Sequence, residues 1–103
     1  MNSGMTIAIH DILEERVRQI EKENFSHHHD DKEEYNRSMA IVAGLYALAA
    51  GGISDRLSFF REVWPRSWAL HWWKPTTARH NLVKAGALIV AEIERLDRLE
   101  KSK

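Results

Sequence analysis

The chain has 103 residues, 44% of them hydrophobic and 29% charged, with 15 basic residues balancing 15 acidic ones. That length holds one domain with one core, and the balanced charge gives no general pull towards nucleic acid or a membrane surface. Absence of cysteine excludes a disulfide framework, a thiolate metal site and a cysteine nucleophile, and it agrees with a reducing cytosol.

Residues 1–4 read as a flexible N-terminal tail, and a single helical domain is expected over residues 5–100. Ile7, Ala8 and Ile9 run at once into His10, Asp11 and two glutamates, which is not the pattern of a secretory signal. The first helix is expected over residues 7–24. Its apolar residues Ile9, Leu13, Val17 and Ile20 step by one helical turn, and Asp11, Glu14 and Glu15 suit the positive end of the helix dipole. Residues 24–31 read as a polar loop. The second helix is expected over residues 32–50, with Tyr35, Met39, Val42, Tyr46 and Ala49 on one face. Ala40, Ala43, Gly44 and Ala47 should let a neighbour pack close, and Gly51-Gly52 should end the helix. The apolar part, residues 39–50, is too short to span a bilayer, so no membrane partner is expected.

Residues 53–75 are the least regular. Ser54-Asp55 is expected to cap a short helix to about Glu62, Pro65 to open another, and Lys74-Pro75 to end it. The clearest helix is expected over residues 77–99, capped by Thr76 or Thr77. Leu82, Ala85, Ile89, Ile93 and Leu96 form its stripe, widened by Leu88 and Leu99. This stripe should pack on the one from residues 39–49, because both are too apolar to stay wet. The fold class is therefore all-α, a small irregular bundle of three to five helices with a Trp-rich connector.

Four groups of residues could carry chemistry. His27-His28-His29-Asp30-Asp31 offers imidazoles and carboxylates, which act as metal ligands and general bases. Adjacent side chains diverge, so only one or two could serve one ion, and the plain alternative is a solvated loop in which Asp30 or Asp31 caps the second helix. Trp64, Trp68, Trp72 and Trp73 fall within ten residues. Most should form a core wall, but Trp72 and Trp73 are adjacent and cannot both face inward, so one should line a groove where indole could stack on a base. Lys74, Arg79, His80 and Lys84 form a basic set. Arg79 stands at a helix start, where a cation opposes the dipole, so either a phosphate-like ligand or Asp30, Asp31 or Glu15 should compensate it. His29-Asp30-Asp31 is expected to approach Lys74 or Arg79 across the bundle. Finally, Glu94-x-x-Asp97 hints at a magnesium site, against the reading that Glu92, Glu94, Arg95, Asp97 and Arg98 form a charged outer face.

Glu15-Arg16-x-Arg18-Gln19, His29-Asp30-Asp31, Trp72-Trp73-Lys74-Pro75, Arg79, and the runs Leu-Val-Lys-Ala-Gly-Ala-Leu-Ile at 82–89 and Ala-Glu-Ile-Glu-Arg-Leu-Asp-Arg at 91–98 together give a recognisable pattern. It resembles a family of small proteins common in bacteriophage and prophage genomes. Where such proteins tend to have Gly-Trp before the His-Asp-Asp motif, this chain has Asn24-Phe25. The resemblance implies a phage-type accessory protein of the host bacterial cytosol and supplies no mechanism. The chain is also similar, at Glu94-x-x-Asp97 alone, to all-helical nucleoside-triphosphate pyrophosphohydrolases of the MazG-like class. Their Glu-Glu-x-x-Glu motif is not matched: Glu14-Glu15 leads to Arg18, and Glu33-Glu34 to Arg37. A cation at that position would repel magnesium, so that site is not carried over.

The leading expectation is a protein that binds a small anionic, nucleotide-like ligand, sequestering a host defence signal or sensing a nucleotide pool. Arg16, Arg18, His29, Asp30, Asp31, Trp72, Trp73, Lys74, Arg79 and Lys84 are its candidate residues, the cations holding phosphate and indole stacking on the base. No cofactor and no dedicated metal site are part of this reading. The alternatives are a metal-dependent nucleotide hydrolase built on the His-Asp-Asp cluster and an inhibitor that covers a host protein without a small ligand. A homo-oligomer is compatible with each.

Overall fold

Thr6 starts the first helix: its Oγ1 accepts the Ile9 amide at 3.2 Å, as an N-cap should. The computed structural model describes residues 4–22 and 37–101. Among them lie helix α1 (Ile7–Lys22), α2 (Ser38–Ala50), α3 (Ser58–Val63), a 3₁₀ turn at Leu70–Trp72 and α4 (Ala78–Lys101). No strand occurs among the described residues, and the all-α bundle with its Trp-rich connector is the observed architecture. None of these helices is long and apolar enough to cross a membrane. Of the expected tail, only Gly4 is described.

The second helix does not run unbroken from Lys32. Arg37 is left-handed, with φ 63°, a conformation that interrupts a helix. What fixes the new start is Ser38, buried, whose Oγ accepts the Trp68 indole N–H at 2.7 Å. Gly51 ends α2 as expected, its amide bonding back to the Ala47 and Leu48 carbonyls, and Gly52 follows at φ 88°.

The connector departs from its expected caps. Ser54 accepts the Arg56 amide in a turn, and Asp55 holds the Trp73 indole N–H at 2.8 Å, so the helix waits until Ser58. Pro65 opens a turn closed by the Trp68 amide rather than a second α-helix. At the start of α4, Thr77 Oγ1 accepts the His80 amide and Asn81 Oδ1 accepts the Thr76 amide at 2.8 Å, so Thr77 is the cap.

α4 is the spine, and both α2 and α1 pack on it. Met39, Val42, Ala43 and Tyr46 meet Ala85, Leu88 and Ala91, with Trp68 closing the core and Trp64, Trp72 and Trp73 packed against it. The expected face of α1 is corrected and that of α4 in part, since Ala85 and Leu88 of its expected stripe do lie in the core. Leu82, Ile89, Ile93 and Leu96 are exposed, as are Ile9, Leu13 and Val17, while Glu15, Arg16, Gln19, Glu92 and Arg95 are buried. α4 carries apolar residues on every side, so its stripe of large ones does not select the packing face. Its smallest residues do, because they admit a closer neighbour. The buried charges are paired: Arg95 with Glu92, Arg16 with Glu94, and Arg18 with Glu15. Of Ala40, Ala43, Gly44 and Ala47 on α2, only Ala43 is buried.

Gly86 marks where α1 crosses α4. A Cβ there would lie 2.9 Å from Ile12 Cδ1 and 3.1 Å from its Cγ1. Gly86→Val should therefore destabilise the protein by about 1–3 kcal/mol through overpacking, read by urea denaturation. Adding Ile12→Ala should return part of that loss. If Gly86→Val alone is as stable as the native chain, the close crossing is wrong.

Candidate functional site

Three hollows open on the residues that the sequence singles out. The largest is a cleft of about 790 Å³ between α1 and the start of α4. Its polar wall includes His10, Asp11, Glu14, Arg18, Arg79 and His80, and Leu13, Val17 and Val83 give it an apolar side. Arg79, the second residue of α4, reaches Asp11 Oδ2 at 2.8 Å. Among the described residues that carboxylate, rather than Glu15, is its partner. The Arg79 hydrogen bond is the main reason the Asp11 carboxyl sits below its ordinary range, with burial opposing and His10 assisting.

His10, Asp11 and Glu14 form a cluster that sequence reading missed. His10 Nε2 lies 3.3 Å from Glu14 Oε1, and His10 Nδ1 lies 3.5 Å from Asp11 Oδ1. One ligand atom from each of the three falls within 4.8 Å of the others, so the group could hold a cation. The available signal was spacing: residues i, i+1 and i+4 on one helix. Their value as dipole partners accounted for the carboxylates and drew attention from it.

Behind the cleft lies a recess of about 20 Å³, room for a single water, lined by Glu15, Arg18, Gln19, Trp72, Lys74 and Lys84 among others. Glu15 and Arg18 form the wall between the two hollows. Arg18 Nε and Nη2 donate to the two Glu15 oxygens at 2.7 Å each. Burial pushes the Glu15 carboxyl up, but the Arg18 hydrogen bonds and charge, with Gln19 and His80, draw it below the usual carboxylate value. Gln19 Oε1 is buried and has no hydrogen-bond partner among the described residues. Lys84 Nζ donates to the Lys74 carbonyl at 2.7 Å and lies over the Tyr46 ring. Tyr46, which sequence reading assigned only to the core, ties the turn down. Its hydroxyl donates to the Trp72 carbonyl and accepts the Lys74 amide.

The ten candidate residues therefore divide. Arg18, Trp72, Lys74 and Lys84 share the recess, and Arg18 and Arg79 share the cleft. Arg16 is buried against Glu94, with Nη2 to Oε1 at 3.0 Å. Trp73 packs on Tyr46, Phe60 and Trp64 and faces a separate groove beside Arg56 and Arg61. Trp72 and Trp73 thus point into different hollows, as adjacent residues should. His29, Asp30 and Asp31, with the contact expected between them and Lys74 or Arg79, lie outside the described residues. Comparison with protein-family models, with curated proteins and with solved structures finds no match for the chain.

Proposed function

We propose that the protein binds a small phosphate-bearing, nucleotide-like anion in the cleft between α1 and the start of α4. The carrying observation is the pairing of Arg18 and Arg79 across one open space with the apolar side chains Leu13, Val17 and Val83. Guanidinium groups suit phosphate oxygens, the start of a helix favours an anion, and an apolar wall suits a base. Through Arg18, such a ligand would adjoin Trp72, Lys74 and Lys84 in the recess. In the phage-type setting that the sequence resembles, the role would be to sequester or sense a nucleotide signal in the host cytosol.

Thermal-shift measurements with ATP and dATP, with and without magnesium, test this. Saturating nucleotide should raise the melting temperature by mass action. Arg79→Ala should abolish the shift while the protein stays folded. Glu94→Gln should leave it intact, because Glu94 lies fifteen residues further along α4, about 22 Å at ~1.5 Å per residue. A shift retained in Arg79→Ala overturns the reading.

A second reading has its own observation. His10, Asp11 and Glu14 at the cleft could hold a divalent cation, which would polarise a phosphate bound by Arg79 and activate water. Phosphate or pyrophosphate release from dATP that requires manganese or magnesium, and that Glu14→Gln removes without removing the thermal shift, would make the protein a hydrolase.

A further inference from the structure

A groove of about 630 Å³ lies between α3 and the turn at Leu70–Trp72, and it shares no described lining residue with the cleft or the recess. Phe60, Trp64 and Trp73 bring three aromatic rings to its walls, with Arg56 and Arg61 beside them. The rings are held in place. Trp64 Nε1 donates to the Trp68 carbonyl at 2.7 Å, and Trp73 Nε1 to Asp55 Oδ2 at 2.8 Å. The Trp73 ring stands 5.8 Å from that of buried Phe60 and 6.0 Å from that of Trp64. Trp64 and Trp73 are only half-buried, so both keep surface at the groove.

We propose that this groove is a second binding site, distinct from the cleft, for a flat aromatic ring that carries a carboxylate or phosphate group. The rings are the first argument. Two indoles and a phenyl give a rigid surface suited to stacking. Both indole N–H groups are spent inside the protein, so the polar part of a ligand must be met by other groups. Arg56 and Arg61 are those groups, and they are the second argument. Both are exposed, and neither guanidinium has an ion pair or hydrogen bond among the described residues. Guanidinium forks suit carboxylate and phosphate oxygens. Asp55, the one acid among the described lining residues, already accepts the Trp73 indole. Two cations against one carboxylate leave net positive charge for an anion. Size is the third argument, since the volume falls within the ~300–1,000 Å³ of small-molecule sites.

Proton–nitrogen NMR of the intact protein tests this, with phenyl phosphate, benzoate, inorganic phosphate and benzyl alcohol as probes. Phenyl phosphate or benzoate should shift the Trp73 indole N–H saturably, and the tighter of the two identifies the anion. The indole of Trp72, which lines the recess, should not move. Benzyl alcohol keeps the ring without the charge, and inorganic phosphate the charge without the ring. Each should bind about tenfold more weakly. Arg56→Ala combined with Arg61→Ala should weaken the aromatic anion by about tenfold as well, with the signal of the buried Trp68 indole unchanged as the check on folding. Should that double variant fail to fold, Arg61→Gln alone carries the test. Arg79→Ala, in the cleft, should leave this binding as it is, which separates the groove from the nucleotide site proposed above. No saturable shift with either aromatic anion at ~10 mM overturns the proposal. So does equal binding by benzyl alcohol or by inorganic phosphate, and so does binding that survives the loss of both groove arginines.

Discussion

Trp68→Ala should cost about 3–5 kcal/mol of stability, in the range for truncating a buried aromatic residue. Domains of this kind have only ~5–15 kcal/mol in total, so the variant should be partly unfolded at physiological temperature. Three separate losses add. The indole is 6% exposed and fills the core between α2 and the connector. Its Nε1 is the donor to buried Ser38 Oγ, the contact that fixes where α2 begins. Its ring meets Trp64 and Trp72 edge-on, at centroid distances of 6.3 and 6.5 Å. Urea denaturation followed by circular dichroism measures the sum. Trp68→Phe keeps the ring and drops the donor, so it should lose only part of that stability. Leu70→Ala, on an exposed residue of the same connector, should be close to neutral. Equal midpoints for Trp68→Ala and Leu70→Ala would show that the connector is not anchored at Trp68.

The anchoring role of the tryptophans was legible in the sequence because four indoles in ten residues leave a small domain few ways to keep them dry. Helix positions were legible for a similar reason: Gly51, Thr77 and the 3.6-residue period act locally. Orientation was not. On α4 the period of the large aliphatics points to Leu82, Ile89, Ile93 and Leu96, yet α2 packs on Ala85, Leu88 and Ala91. A sequence shows which residues dislike water, but not which of two apolar faces gains the closer neighbour. The site divides in the same way. Arg79 stood out because a cation at a helix start needs an explanation, and its partner Asp11 came from a different helix, 68 residues away. No spacing rule reaches that far. His10, Asp11 and Glu14 were within reach of a spacing rule, but the helix dipole already accounted for those carboxylates.

Arg95→Met should also cost about 3–5 kcal/mol, the range for removing one partner of a buried ion pair. The sequence places Arg95 on a charged outer face, where its loss would be nearly silent. In the fold Arg95 and Glu92 are both buried, one turn apart on the side of α4 away from solvent. Arg95 Nε donates to Glu92 Oε1 at 2.6 Å and Nη2 to Oε2 at 3.3 Å. Methionine can replace the aliphatic stem but not the fork, so Glu92 would be left with its charge in the interior and its donors gone. That penalty belongs to the orphaned carboxylate, not to the pair itself. Glu92→Leu added to Arg95→Met should therefore recover most of the loss, since two apolar side chains of similar volume leave nothing unsatisfied. The same cycle on Arg79 and Asp11, paired at 2.8 Å with Arg79 exposed and Asp11 half-buried, should show a coupling several times smaller, because water reaches both partners. Burial rather than bond length separates the two pairs. A cycle that gives them equal coupling would place Glu92 and Arg95 back in solvent, and the packing face of α4 with them.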